Sequence, residues 1–203
     1  MSLQELLAAG MTGDIDDFLY QGSFPRIYKD NLNPTQLYNS YIQTYFEKDL
    51  RQMIEVKNLL LVQRFLKLCA GRIGQLFNKE NLANEVGVSA TTITHWISVL
   101  EASHLIFLLA PFHENFGKRV TKSPKLYFCD VGLAAFLLVI ENKNQIARDP
   151  LRGQLVENMI ILELIKTRWN QGLEHRLFFY RDTYNEVDVL FQKGHDLIPI
   201  EIK

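Results

Sequence analysis

Cysteine is scarce: Cys69 and Cys129 are the only two in 203 residues, which excludes a disulfide framework and a zinc finger. Long apolar runs are also missing. The stretch from Ala134 to Ile140 is too short to cross a bilayer, and the N-terminus lacks a basic region followed by a signal-peptide core. A cytoplasmic protein with no membrane partner is therefore expected. Neither sign of charge dominates, with 22 Lys and Arg against 23 Asp and Glu for a net charge of -1. That balance excludes a globally basic nucleic-acid coat and leaves only local patches. The five histidines show no pair at metal-ligand spacing, and His195 falls in a turn. No phosphate-cradling G-x-x-x-x-G-K-[ST] loop occurs, and Gly71-Arg72-Ile73-Gly74 lacks the lysine and hydroxyl such a loop needs. ATP is not expected to bind this chain.

What is present is apolar material enough for a sizeable core, 47% of the residues, sufficient for one large or two small domains. The expected class is α+β, with a helical N-terminal part. Gly10, Gly13, Gly22, Pro25 and Pro34 punctuate residues 1–40 into a connecting region of short helices. From Tyr38 to Ala70 apolar residues recur at helical spacing, and Phe65, Leu66, Leu68 and Cys69 read as a core face. Tyr41, Tyr45 and Phe46 read as buried packing rather than as stacking platforms for bases. Asn78 to Ala102 reads as a helix-turn-helix: a helix through Leu82, Ala83 and Val86, a turn at Gly87, and a Ser89-initiated helix with Ile93, Ile97 and Leu100 inward. Strands at His104 to Phe112 and Lys125 to Phe128 would complete a winged helix over residues 41–142. On its second helix, Thr91, Thr92, His95 and Ser98 face outward and offer hydrogen bonds to DNA without a guanine-reading guanidinium. The wing carries Lys118, Arg119, Lys122 and Lys125, a set suited to phosphate contacts if they share a face. Contact with another subunit or domain is the alternative. Lys143 to Pro150 reads as a linker, with Arg148 and Arg152 at the surface.

The C-terminal part carries the chemistry. Glu186 to Phe191 and Leu197 to Ile202 read as a hairpin turning through Lys193-Gly194-His195-Asp196. Pairing Gln192 with Leu197 sets Asp188 opposite Glu201 on one face, and Lys203 shares it because alternate strand residues do. The other face, Ile198, Ile200 and Ile202, is expected in the core. A slip of one residue would part the two carboxylates. Glu157 sits on a helical stripe with Ile160, Ile161 and Leu164, where a carboxylate is costly unless partnered, whereas Glu163 reads as solvent-facing. Asp188, Glu201 and the Ile202 carbonyl offer hard oxygen ligands to Mg²⁺ or Mn²⁺, with coordination positions left for water and a phosphate oxygen. Lys203 would orient that water or neutralise developing charge. Glu157 would hold a metal-bound water or support a second ion.

The pattern Gly153-x-x-x-Glu157, Glu186-Val187-Asp188 and Glu201-Ile202-Lys203 resembles the PD-(D/E)xK nuclease superfamily. Tyr41-Ile42-x-x-Tyr45-Phe46-Glu47-Lys48-Asp49-Leu50, Lys122-Ser123-Pro124-Lys125-Leu126-Tyr127-Phe128-x-Asp130-x-Gly132-Leu133 and Gly153-x-Leu155-Val156-Glu157-Asn158 resemble the DUF4143 region of predicted AAA-type ATPases, over nearly the whole chain. Gly22-Ser23-Phe24-Pro25-Arg26 resembles the segment that follows the ATPase core there. The resemblance implies a C-terminal fragment: 1–40 after a missing ATPase domain, the winged helix, and at 143–203 a restriction-endonuclease-like α/β domain truncated at its C-terminus. The ATPase domain of the same parent protein, DNA and an oligomer are the implied partners. Three functions follow as expectations: a metal-dependent DNA nuclease, a noncatalytic DNA- or protein-binding module, or a regulator of the ATPase.

Overall fold

The computed structural model describes residues 1–45, 59–113 and 123–203. It is a mixed α+β fold, with helices in the N-terminal part and small antiparallel sheets toward the C-terminus. Phe46 to Leu50 of the aromatic motif, and Lys118, Arg119 and Lys122 of the wing, lie outside the described residues.

Four helices open the chain, α1 (Leu3–Ala8), α2 (Ile15–Gln21), α3 (Pro25–Lys29) and α4 (Pro34–Tyr45). Ser2 and Asp14 start the first two through capping boxes with Glu5 and Asp17. Pro25 opens α3, where its missing N–H costs nothing. The stretch expected as a connecting region is packed into the fold. Leu19, Ile27 and Tyr38 join the same buried cluster as Leu155, Ile161 and Val189. Charged pairs fasten it further. Arg152 Nε lies 2.9 Å from Asp16, and Lys143 Nζ lies 2.7 and 2.8 Å from Asp14 and Asp17. Glu163 does not face solvent as expected, because its Oε2 accepts the Leu3 N–H at 2.6 Å and its Oε1 meets Lys166 Nζ at 3.2 Å. Lys166 is its i,i+3 neighbour, but Leu3 lies across the fold, beyond the reach of helical spacing. Lys143 to Pro150, read as a linker, contains a short helix Lys143–Ile146 with an Asn142–Gln145 capping box.

Helices α5 (Leu59–Ala70), α6 (Lys79–Val86) and α7 (Ala90–Ala102) follow. Gly87 ends α6 in the left-handed conformation at φ 87°, and Ser89 caps α7 by accepting the Thr92 N–H. Ile93, Ile97 and Leu100 point inward as expected, joined by Trp96 and Val99. Strand β1 (Ile106–Leu109) pairs antiparallel with β2 (Lys125–Phe128), Ile106 opposite Phe128. Helix α8 (Val131–Leu137) comes next and is capped by Asp130. We number the Lys143–Ile146 turn α9 and the long helix Arg152–Trp169 α10.

The second sheet has the order β3 (Leu177–Arg181), β4 (Glu186–Lys193), β5 (Asp196–Ile200). A parallel bridge between Pro111 and Phe179 ties it to the end of β1, with the Phe112 N–H donating to the Phe179 carbonyl at 2.7 Å. Gln192 pairs with Leu197, the expected register. The turn is tighter than expected: Lys193 pairs with Asp196, leaving Gly194-His195 as a two-residue loop. Gly194 has φ 64°, as the first central position of a type II′ turn requires. Between β3 and β4 the register shifts after Phe178–Leu190, so Asp188 and Val189 together oppose Phe179. Val189 and Leu190 are buried in succession, Val189 in the main cluster and Leu190 between Phe178 and Pro199 in the sheet. Ile198 is not in the core: it is 42% exposed, because β5 is the sheet's edge and only Ile200 and Ile202 reach the buried cluster.

The turn from β3 to β4 is held by Asp182, which accepts the N–H groups of Tyr184 and Asn185 and the Tyr180 hydroxyl, each at 2.7 Å. These donors, the Tyr184 N–H first, hold its carboxyl down at about 2 against an ordinary 3.8. The stabilisation is therefore complete above the ordinary value and is lost as pH falls through about 2. Carbon-detected NMR of the Asp182 carboxyl should show a midpoint near 2. A midpoint near the ordinary value would mean the turn is not held this way.

Candidate functional site

Strand β2, helix α10 and strand β4 converge on one basic side chain. Lys125 is 4% exposed. Its Nζ lies 2.9 Å from Glu186 Oε1 on β4 and 3.3 Å from Glu157 Oε1 on α10. It also sits 5.5 Å from the centroid of the Phe179 ring. Burial works against its charge, but the hydrogen bonds and charges of Glu186 and Glu157 outweigh burial and hold the ammonium above its ordinary value. Two residues along β2, on the same face, the Tyr127 hydroxyl donates to Glu157 Oε1. Burial pushes the Tyr127 phenol up, and the charges of Glu157, Asp188 and Glu186 push it the same way. The carboxylate on an apolar helical stripe therefore has the partners its position demanded.

The surroundings fix this arrangement. Asn158, fully buried, accepts the Phe128 N–H at 2.7 Å and donates to the Phe128 carbonyl at 2.9 Å. It clamps α10 to β2 one residue from Glu157. Gly74, at φ +72°, sets the turn after α5 against α10, where a Cβ would make ordinary contact with Gln154 at 3.4 Å and Glu157 Oε2 at 3.5 Å. Its N–H donates to the Leu126 carbonyl at 2.9 Å. Glu186 also meets Arg181 Nε at 3.5 Å.

Asp188 Oδ2 accepts the Ile202 N–H at 2.9 Å, which holds the half-buried Asp188 beside Glu201-Ile202-Lys203. Glu201 and Lys203 themselves are exposed. Among the described residues, no three His, Cys, Asp or Glu side chains are placed to hold one metal ion. Glu157 thus belongs with Lys125 and Tyr127, while Asp188 belongs with the last three residues. Lys125, expected beside Lys118, Arg119 and Lys122 on the wing, is buried in this cluster. Thr91 and His95 are exposed on α7, and Thr92 is half-buried with its Oγ1 2.8 Å from Ser89 Oγ. Sequence reasoning missed Tyr127, Glu186, Asn158 and Gly74 as parts of the site. The signal for two of them was alternation: Lys125 with Tyr127 on β2, and Glu186 with Asp188 on β4.

Comparisons with known proteins agree with the DUF4143 resemblance over the last quarter of the chain and amend the rest. Residues 152–203 match the domain of unknown function DUF4143, but the match does not extend over the preceding chain. Residues 12–144 match a different domain of unknown function, DUF8612. The uncharacterized protein Rv2008c of Mycobacterium tuberculosis is 32% identical over 126 residues, 62% of this chain and 29% of that protein. The uncharacterized protein Mb2031c of Mycobacterium bovis matches to the same extent. The uncharacterized protein MJ1637 of Methanocaldococcus jannaschii is 27% identical over 156 residues, 74% of this chain and 32% of that protein. The chain thus spans about a third of the length of these curated relatives. No solved structure matches. No helix among the described residues is long and apolar enough to cross a membrane. With its larger part, residues 12–144, covered by that match, the chain belongs to the DUF8612 family and carries a DUF4143 region behind it.

Proposed function

We propose that residues 143–203 form a restriction-endonuclease-like site for Mg²⁺- or Mn²⁺-dependent cleavage of DNA in the cytoplasm. The parent protein would be a larger AAA-type ATPase, and α6, α7, β1 and β2 would form a winged helix that contacts the DNA. The observation that carries this reading is the hairpin register. The strands pair as far as Val189 opposite Ile200, and just beyond that pair the Asp188 side chain accepts the Ile202 N–H, which sets Asp188 and Glu201 at one end of the hairpin. Asp188, Glu201 and the Ile202 carbonyl would hold the ion with only two carboxylates, a donor set of hard oxygens that suits these metals. The Ile202 N–H engages one Asp188 oxygen and orients the carboxylate. The ion would activate water and polarise the phosphate. Lys203, exposed on the same segment, would orient that water, and Glu157 would act from the inner side. Lys118, Arg119, Lys122, Thr91, Thr92 and His95 would supply the DNA contacts, with the inward-facing Lys125 the least suited to join them.

The second reading, a noncatalytic DNA- or protein-binding module that regulates the ATPase, is favoured by one observation: Glu157 is already engaged by Lys125 and Tyr127. Cleavage of single- and double-stranded DNA with Mn²⁺ or Mg²⁺ separates the two. The nuclease reading expects cutting by the wild type that falls to background in Asp188→Ala and Lys203→Ala. Well-folded wild type that binds DNA without cutting it selects the module.

A further inference from the structure

Divalent-ion nuclease sites differ in how many cations they hold, and here one cation position is filled by the protein. We infer that Lys125 Nζ is a resident cation standing where a second metal ion would otherwise sit, so that the site takes one divalent ion, at Asp188 and Glu201, and not two. The inference rests on the phosphodiesterase reading above.

Its warrant is placement. Glu157 Oε1 and Glu186 Oε1 come from different elements, α10 and β4, yet both lie within 3.3 Å of one nitrogen. That nitrogen belongs to a side chain 5% exposed and stands 5.5 Å from the Phe179 ring centroid, so bulk water solvates it little and the two carboxylates balance its charge. A divalent ion coordinated at about 2.0–2.1 Å would ask each carboxylate to close by about 1 Å, a movement available to Glu186, whose side chain is 40% exposed. Arg181, 3.5 Å from the other Glu186 oxygen, completes the substitution: two monovalent side chains set against two carboxylates do the work of one divalent ion. An ammonium has no open coordination position for water or phosphate. The consequence is that Glu157 cannot recruit a second ion while Lys125 is in place. Lys125 is therefore a positioning residue supplied by β2, in front of the DUF4143 region, and it sets the metal count.

Replacing Lys125 with methionine, similar in length and uncharged, leaves Glu157 and Glu186 without their cation and opens the position to metal. The test is a titration with Mn²⁺, following the free ion by electron paramagnetic resonance, on wild type, Lys125→Met and the double variant Lys125→Met/Glu157→Gln, each checked for fold by circular dichroism. The expected counts are one ion per chain for wild type, two for Lys125→Met, and one again for the double variant. Two ions in wild type, or a folded Lys125→Met that still binds one, overturns the inference and leaves the nuclease reading standing. No ion bound by wild type removes the nuclease reading itself. Should Lys125→Met fail to fold with and without Mn²⁺, the wild-type count decides: one supports the inference and two overturns it.

Discussion

Replacing Asp130 with alanine is expected to cost about 3–5 kcal/mol of stability, on the order of 10 °C in melting temperature for a chain of this size. Asp130 is 5% exposed, yet its two oxygens serve three separate segments. Oδ2 accepts the Ser23 N–H at 2.7 Å and the Ser23 hydroxyl at 2.8 Å. Oδ1 accepts the Tyr38 hydroxyl at 2.6 Å and the Leu133 N–H at 2.9 Å. The last of these is the N-cap of α8, which alone contributes about 1 kcal/mol. Lys166 Nζ extends the network by donating to Ser23 Oγ at 3.2 Å. The alanine variant would leave buried donors facing apolar surroundings, the expensive half of hydrogen-bond energetics. Asp130→Asn, which keeps one acceptor oxygen and loses the charge, should fall between wild type and alanine in thermal denaturation. If alanine melts within about 2 °C of wild type, less than 1 kcal/mol for a chain of this size, the carboxylate does not organise the N-terminal helices.

Gly132 and Gly153 are both helical glycines, and alanine at the two positions is expected to act in opposite directions. On propensity alone alanine gains up to about 1 kcal/mol in a helix. At Gly153 a Cβ meets nothing within 4 Å, so Gly153→Ala should stabilise by about 0.5–1 kcal/mol. At Gly132 a Cβ would lie 2.5 Å from the Tyr38 hydroxyl, 2.7 Å from the Gly22 nitrogen and 2.8 Å from the Gly22 Cα. Backbone would have to move, in a segment where Gly22 itself holds φ 69°, ψ -152°, a region essentially confined to glycine. Gly132→Ala should therefore destabilise by about 2–3 kcal/mol despite its better propensity. Urea midpoints of the two variants, shifted apart around the wild type, check the pair. A Gly132→Ala midpoint at or above wild type would contradict the close approach of α2 and α8.

These two sites mark where sequence reasoning stopped. The local features were legible: the Gly87 turn and Ser89 cap depend on residues within a few positions, and the β4–β5 register follows from a short hairpin. Glu157 was legible as a carboxylate needing a partner, but the partners were not. Lys125 and Tyr127 lie on a strand in a different part of the chain, and nothing in their own neighbourhood distinguishes a buried lysine from the wing lysines before it. The same holds for Glu163, whose partner is the Leu3 N–H. Strand β3 had turn residues on both sides, Gly172 before it and Asp182 to Asn185 after it, and was legible though missed, whereas the bulge at Asp188 is a one-residue register shift that leaves little local trace. The motif residues Gly22, Asp130, Gly132 and Asn158 carried the family resemblance, and the structure assigns them to holding elements together. The proposed site draws on the remaining motif residues: Lys125, Tyr127, Glu157 and Glu186 on one side, and Asp188, Glu201 and Lys203 on the other.

Under the proposed function, Asp188 and Glu201 together hold a divalent ion. Mn²⁺ binding to the wild type and to Asp188→Asn, measured by electron paramagnetic resonance, tests it most directly, because asparagine keeps an oxygen for the Ile202 N–H while removing the charge. Binding by the wild type that weakens at least about tenfold in Asp188→Asn is the predicted result. Equal binding by both proteins, or none by the wild type, would contradict it.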